Sequence, residues 1–282
     1  MSIWEETMRI SRLTAFAFVI AAAAATCAAA AGGGPSPGVS TGSGGVVSRA
    51  AGLRYVALPF QRSTVVQAVR VHGGRIARFN SFPGSYGIPL VGFDGSTGGL
   101  SADGNTLVLA SATGRSQFRL LDTRTLRTRQ IVTLNGTFSY DALSPDASTL
   151  YLIQHVSSPN TSASRYYVRA YDLEQGRLLK KIIFDTREKW GLMSGSPITR
   201  TTSVGGRWVY TLYARPGGHP FVHALDSANR RAVCVDLPWH GSQAPVWRMK
   251  LRLTAGQSKL VVHGNKTPRL VIDTKTYRVT GA

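Results

Sequence analysis

Ser144-Pro145-Asp146-Ala147-Ser148-Thr149-Leu150-Tyr151-Leu152, followed after a polar insertion by Tyr167-Val168-Arg169-Ala170-Tyr171-Asp172-Leu173-Glu174-Gln175-Gly176, is the stretch that decides the fold. Its first half is a turn of residues that bond their own backbone, leading into a β-rich apolar run; its second half is such a run ending in a turn. Both halves recur. The first aligns with Ser101-Ala102-Asp103-Gly104-Asn105-Thr106-Leu107, Ser203-Val204-Gly205-Gly206-Arg207-Trp208-Val209 and Thr254-Ala255-Gly256-Gln257-Ser258-Lys259-Leu260. The second returns at Phe118 to Asp122, Phe221 to Asp226 and Arg269 to Asp273, with a degenerate copy at Val65 to His72 in which His72 stands in the Asp place.

Positions 72, 122, 172, 226 and 273 are separated by 50, 50, 54 and 47 residues, a period that belongs to propeller blades of about 40 to 50 residues. Each repeat parses into four strands, with Ile88 to Phe93 opening the second and Thr149 to Val156 and Leu178 to Phe184 as the second and last strands of the third, and no segment carries a sustained helical period. The pattern predicts an all-β chain, a β-propeller of about five four-stranded antiparallel blades. Closure is expected from the C-terminus, with Thr276 to Thr280 pairing into the first sheet; the innermost strand of that sheet is either Val46 to Arg49 or the chain end itself. Ser144-Pro145-Asp146 before Thr149-Leu150-Tyr151, then Tyr171-Asp172-Leu173 and the Gly176 turn, resembles the WD40-like repeat of YVTN, lactonase-like and TolB-like bacterial propellers from Leu53 to Ala282. The resemblance implies a secreted propeller and leaves its activity open, since these families host unrelated functions. Ala147 replaces the usual Gly, the fourth and fifth turns lack Asp, and five copies are fewer than the six or seven typical of those families.

The chain begins with Arg9 and Arg12 ahead of an apolar run from Leu13 to Ala25 and small residues to Ala31, the layout of a secretory signal peptide over residues 1–31. Met8 is an alternative start, and Cys27 offers a lipoprotein alternative. Residues 32–47 read as a Gly/Ser/Pro-rich linker and 48–282 as the propeller domain. The expected location is secreted or extracytoplasmic, with surface anchoring if Cys27 is lipidated or the leader is retained. After cleavage Cys234 is the sole cysteine, read as a small buried residue.

The net charge of +19 arises mainly from a shortage of acids: only 17% of residues are charged, against about 25% in a soluble domain. Such a surface attracts an anionic partner. Export disfavours nucleic acid, and a membrane enters only through an N-terminal anchor or lipid. The recurring aspartates follow strands and open turns, where they accept backbone N–H bonds. The six histidines, His72, His155, His219, His223, His240 and His263, form no metal or catalytic motif, and no cofactor or metal is expected.

Loops between second and third strands share one end of a propeller with the links between blades. That end receives the longest insertions and collects Tyr86, Arg115, His155, Arg187, Lys189, Trp190, Arg215, His219, Trp239, His240 and Lys266, the candidate ligand-binding residues. Trp190 and Trp239 equally suit packing between blades. Turns at the opposite end, such as those of Asn105 and Lys275, are expected to be inert. Function reads as a binding or scaffold protein of the cell envelope, with an anionic envelope component or another protein as partner. The alternative is a propeller hydrolase resembling lactonases.

Overall fold

A computed structural model describes residues 36–42, 44–156, 165–189, 191–215, 217–240, 242, 244–264 and 267–281. The expected signal peptide, Cys27, Trp190 and Lys266 lie outside them. A short strand β1 (Val39–Ser40) precedes five antiparallel sheets. The first blade is β2 (Val46–Ser48), β3 (Leu53–Phe60), β4 (Ser63–Arg70) and β5 (Ile76–Pro83). The second is β6 (Tyr86–Pro89), β7 (Thr106–Ser111), β8 (Gln117–Asp122) and β9 (Thr128–Thr133), with β1 added on β6. The third is β10 (Thr137–Leu143), β11 (Thr149–Val156), β12 (Arg165–Asp172) and β13 (Arg177–Leu178), with β14 (Met193–Ser194) also on β12. The fourth is β15 (Ser196–Thr202), β16 (Trp208–Ala214), β17 (Phe221–Asp226) and β18 (Arg231–Asp236). After a 3-10 turn at Ala244–Arg248, the fifth is β19 (Lys250–Leu253), β20 (Lys259–Gly264), β21 (Thr267–Asp273) and β22 (Val279–Gly281). The chain is a five-bladed β-propeller.

Turn chemistry explains the repeats. Asp122, Asp172, Asp226 and Asp273 each accept two backbone N–H bonds from residues two and three positions on, at 2.8–3.3 Å. The residue four positions on then takes a left-handed backbone: Leu126, Gly176, Arg230 and Tyr277 have φ of 56°, 64°, 55° and 57°. In the other turn the Ser or Thr oxygen accepts the N–H five residues later: Thr106, Thr149, Trp208 and Lys259 donate at 2.8–3.3 Å. Ala147 takes the glycine's left-handed place there, at φ 56°.

Apolar side chains from facing sheets form the core. Among the described residues four buried clusters join the first blade to the second, the second to the third, the third to the fourth and the fourth to the fifth. No cluster, hydrogen bond, ion pair or ring contact among those residues joins the fifth to the first.

Several expectations need correction. The last strand, β22, pairs with β21 in its own blade, and the first blade takes its inner strand from Val46–Ser48. Among the described residues the ring therefore has no strand shared across its ends. The stretch 32–47 is not wholly a tether: Val39 and Ser40 pair with Pro89 and Ile88, and Gly42 N–H donates to Ala57 O at 2.9 Å. Gly87 admits this close approach, since a Cβ there would lie 2.8 Å from Val39 Cβ and from Ser40 O. The outer strand of the third blade, expected at Leu178 to Phe184, is only Arg177–Leu178; beyond it Ile183 makes a single bridge to Val168. The inner strand of the second blade ends at Pro89, short of the expected Phe93. Phe93 N–H and Asp94 N–H there donate to Pro197 O and Ile198 O of the fourth blade, each at 3.0 Å.

Candidate functional site

The predicted end of the ring does not gather its residues into one site. Tyr86 is buried between the first two blades, donates its hydroxyl to Gln117 Oε1, and has the Arg119 guanidinium 4.9 Å from its ring. Trp239 is buried in the fourth–fifth cluster and donates Nε1–H to Ser242 O at 3.0 Å, so packing between blades is its role. Arg215 lies over the Phe221 ring at 4.3 Å and 3.6 Å from Asp236. Arg115, Lys189, His219 and His240 are exposed. His155 is half-buried, with Nε2 against Ser139 Oγ and burial pushing its pKa down to about 4.

Groups suited to nucleophilic chemistry are held in unreactive forms. Cys234 Sγ lies 3.7 Å from His223 Nδ1. Burial, then the charge of Asp185, pushes the thiol up to about 12, while burial pushes His223 down to about 4. Among the described residues no three His, Cys, Asp or Glu side chains could hold a metal ion.

The centre of the ring holds a buried ion pair. Asp141 sits in a bulge of β10 between Tyr140 and Ala142, and its carboxylate and carbonyl oxygens both accept from the Arg200 guanidinium of β15. Arg200 Nε donates to Thr211 Oγ1 at 2.8 Å. A cavity of about 260 Å³ opens beside the pair toward the Ser101, Ser144 and Ser203 turns, lined by Tyr140, Asp141, Arg200, Thr202, Ser203 and the glycines Gly98, Gly99, Gly205 and Gly206. Ser36 and Pro37 wall a pocket on Asp141, Arg200, Tyr166 and Tyr213, with room for about 10 Å³, the size of one water. The segment at Ser36 and Pro37 thus lies at the middle of the ring.

A larger groove, about 890 Å³, runs along β18 between the outer parts of the third and fifth blades. Lys181, Arg187, Arg207, Arg230, Arg231 and Lys275 line it, with Asp185 and Asp226 as the only carboxylates. Both acids are engaged internally. Arg187 holds Asp185 at 2.6 Å and Arg207 holds Asp226 at 2.8 Å. Burial opposes ionisation of Asp185, but hydrogen bonds from Arg187 and from Cys234 N–H outweigh it and keep the carboxyl below its ordinary value. Lys181, Arg231 and Lys275 make no side-chain hydrogen bond or ion pair among the described residues, and Lys275 acts on Asp273 only through its charge. Of the predicted residues that are described only Arg187 belongs here, and Lys275, expected to be inert, lies on the wall. The missed cations come from turns of different blades and meet only when the blades stack; the adjacent Arg230 and Arg231 after the Asp226 turn were the available signal.

No protein-family model matches the chain, and no curated protein matches it. Among solved structures it is similar to hydrazine synthase of Kuenenia stuttgartiensis, with TM-score 0.48 and 13% identity over 82% of this chain and 62% of that one. It spans less than two thirds of that chain. It is also similar to the β-propeller domain of Cps50 (Swd1) of Myceliophteria thermophila, with TM-score 0.49 and 11% identity over 88% and 71%. A protein assigned as TolB from Agrobacterium tumefaciens gives TM-score 0.45 and 14% identity over 80% and 76%. At these identities the activities that those names imply stay with those proteins.

Proposed function

We propose that the chain is an exported binding propeller of the cell envelope, and that it holds an anionic partner in the groove along β18. The observation that carries this is the groove's composition: six cationic side chains against two carboxylates, each already matched by its own arginine. An excess of positive charge in a concave, low-dielectric setting focuses the field and raises the local concentration of anions. Phe184, Trp208 and Tyr277 add apolar area beneath the cations.

Replacing Lys181, Arg231 and Lys275 together by Ala tests the reading, since all three are exposed and the turn bond of Lys275 to Asp273 is made by its backbone N–H, which Ala keeps. The triple variant is expected to keep its melting temperature and lose at least tenfold in affinity for anionic envelope polymers, with a weaker dependence on salt. Unchanged affinity in the folded variant overturns the assignment.

A further inference from the structure

We infer that the outward face of the first blade is a docking surface for a sheet of an acidic partner protein. Register places Val47, Arg54, Val69 and Ile76 in one cross-strand row, and Val56, Gln67 and Phe79 in the next, where Val56 is buried and Phe79 exposed. Alternation puts Phe60 on the same face, opposite to Leu53, Tyr55, Ala57, Val66 and Ala68, which pack on the second blade. Of the nine large apolar residues exposed among the described residues, this face carries four: Val47 at 41%, Phe60 at 68%, Ile76 at 48% and Phe79 at 69%. The opposite face of the same sheet is buried, so intrinsic β-sheet composition does not account for the exposure.

In a ring the fifth blade should cover this face. Its own free face carries exposed Arg252, Lys259 and His263 around the buried Val261, and no hydrogen bond, ion pair or ring contact among the described residues links the two blades. A contiguous apolar patch beside a cationic one marks an interaction surface. The shape is that of a sheet face, which other sheets cover throughout this molecule at their usual spacing.

Charge selects the occupant. Arg54 and Arg252 have no side-chain partner among the described residues, while Lys259 faces Asp273 across the strand pair. A second copy would bring another +19 and set Arg54 toward like charge, whereas an acidic sheet complements both arginines while covering Phe79 and Ile76. This inference is independent of the groove.

The probe is a disulfide-cyclised hairpin peptide with valines on one face and glutamates on the other, compared with its lysine counterpart. The exported chain is expected to bind the glutamate hairpin saturably and the lysine hairpin at least tenfold more weakly. Phe79→Ser and Ile76→Ser should each weaken binding at least tenfold, and Ile131→Ser, at another exposed apolar position, should leave it unchanged. Equal binding of the two hairpins overturns the inference. So does binding that survives Phe79→Ser but is lost in the Lys181, Arg231 and Lys275 triple variant, which would place the peptide in the groove. Light scattering provides a separate check: a dimer that Phe79→Ser dissociates would assign the face to a second copy instead.

Discussion

At the scale of single residues, the side chains most suggestive of chemistry are those the fold has set aside. His223 is 3% exposed and its Nε2 has no partner. Burial holds its pKa near 4, against about 6.5 in an unfolded chain. Because the unfolded state takes up the proton first, stability is full above pH 6.5, falls as pH drops toward 4 and levels below. His223 alone should remove about 2 kcal/mol by pH 5. His223→Phe is expected to flatten that part of the dependence of the urea midpoint on pH between 7 and 5, leaving a comparable share from His155; an unaltered slope would show that His223 is not the titrating group. The structural role of the repeated aspartates was legible at this scale, because Asp before a polar turn has a local partner in its own backbone. The burial of Trp239 was not. Its sequence neighbours Pro238 and His240 read as loop, and only the fourth–fifth packing covers it.

At the scale of elements, the inner strands show what sequence patterns leave out. The bulge of β10 at Asp141 sets its carboxylate against Arg200 of β15, 59 residues away, a pairing that no local motif announces. Removing one partner of a buried pair leaves an uncompensated charge and costs about 3–5 kcal/mol. Arg200→Met is expected to lower stability by that amount. Arg200→Met combined with Asp141→Leu should recover most of it, and equal losses in the single and double variants would mean the pair is not the source. Strand limits were read well where apolar alternation ran up to an Asx turn, as at Thr149–Val156, which agrees to the residue. They failed where pairing depends on a distant edge. Leu178 to Phe184 has the composition of a strand, yet among the described residues its pairing with β12 stops at Leu179, whose N–H donates to Ala170 O, and resumes only at the single bridge of Ile183.

At the scale of the whole molecule, repeat counting gave the number of blades but not how the ring ends meet. Both terminal blades are built from contiguous chain, so the seam between them lacks the shared strand that the sequence suggested. Amide hydrogen exchange should report this: β3, β4, β20 and β21 are expected to exchange at lower opening free energy than β11 and β16, which are covered on both faces. Uniform protection through all five blades would show that the seam is sealed. The candidate site was the least legible part, because loop length pointed to one end of the ring while charge collected on the rim. The rim carries one further consequence. Asp185 accepts the outward N–H of Cys234 at 2.8 Å, and Arg187 donates to its carbonyl at 3.0 Å, so two side chains stand where a fifth strand would otherwise attach. That spent edge gives a concentrated solution of the protein no template at Cys234 for growing fibrils.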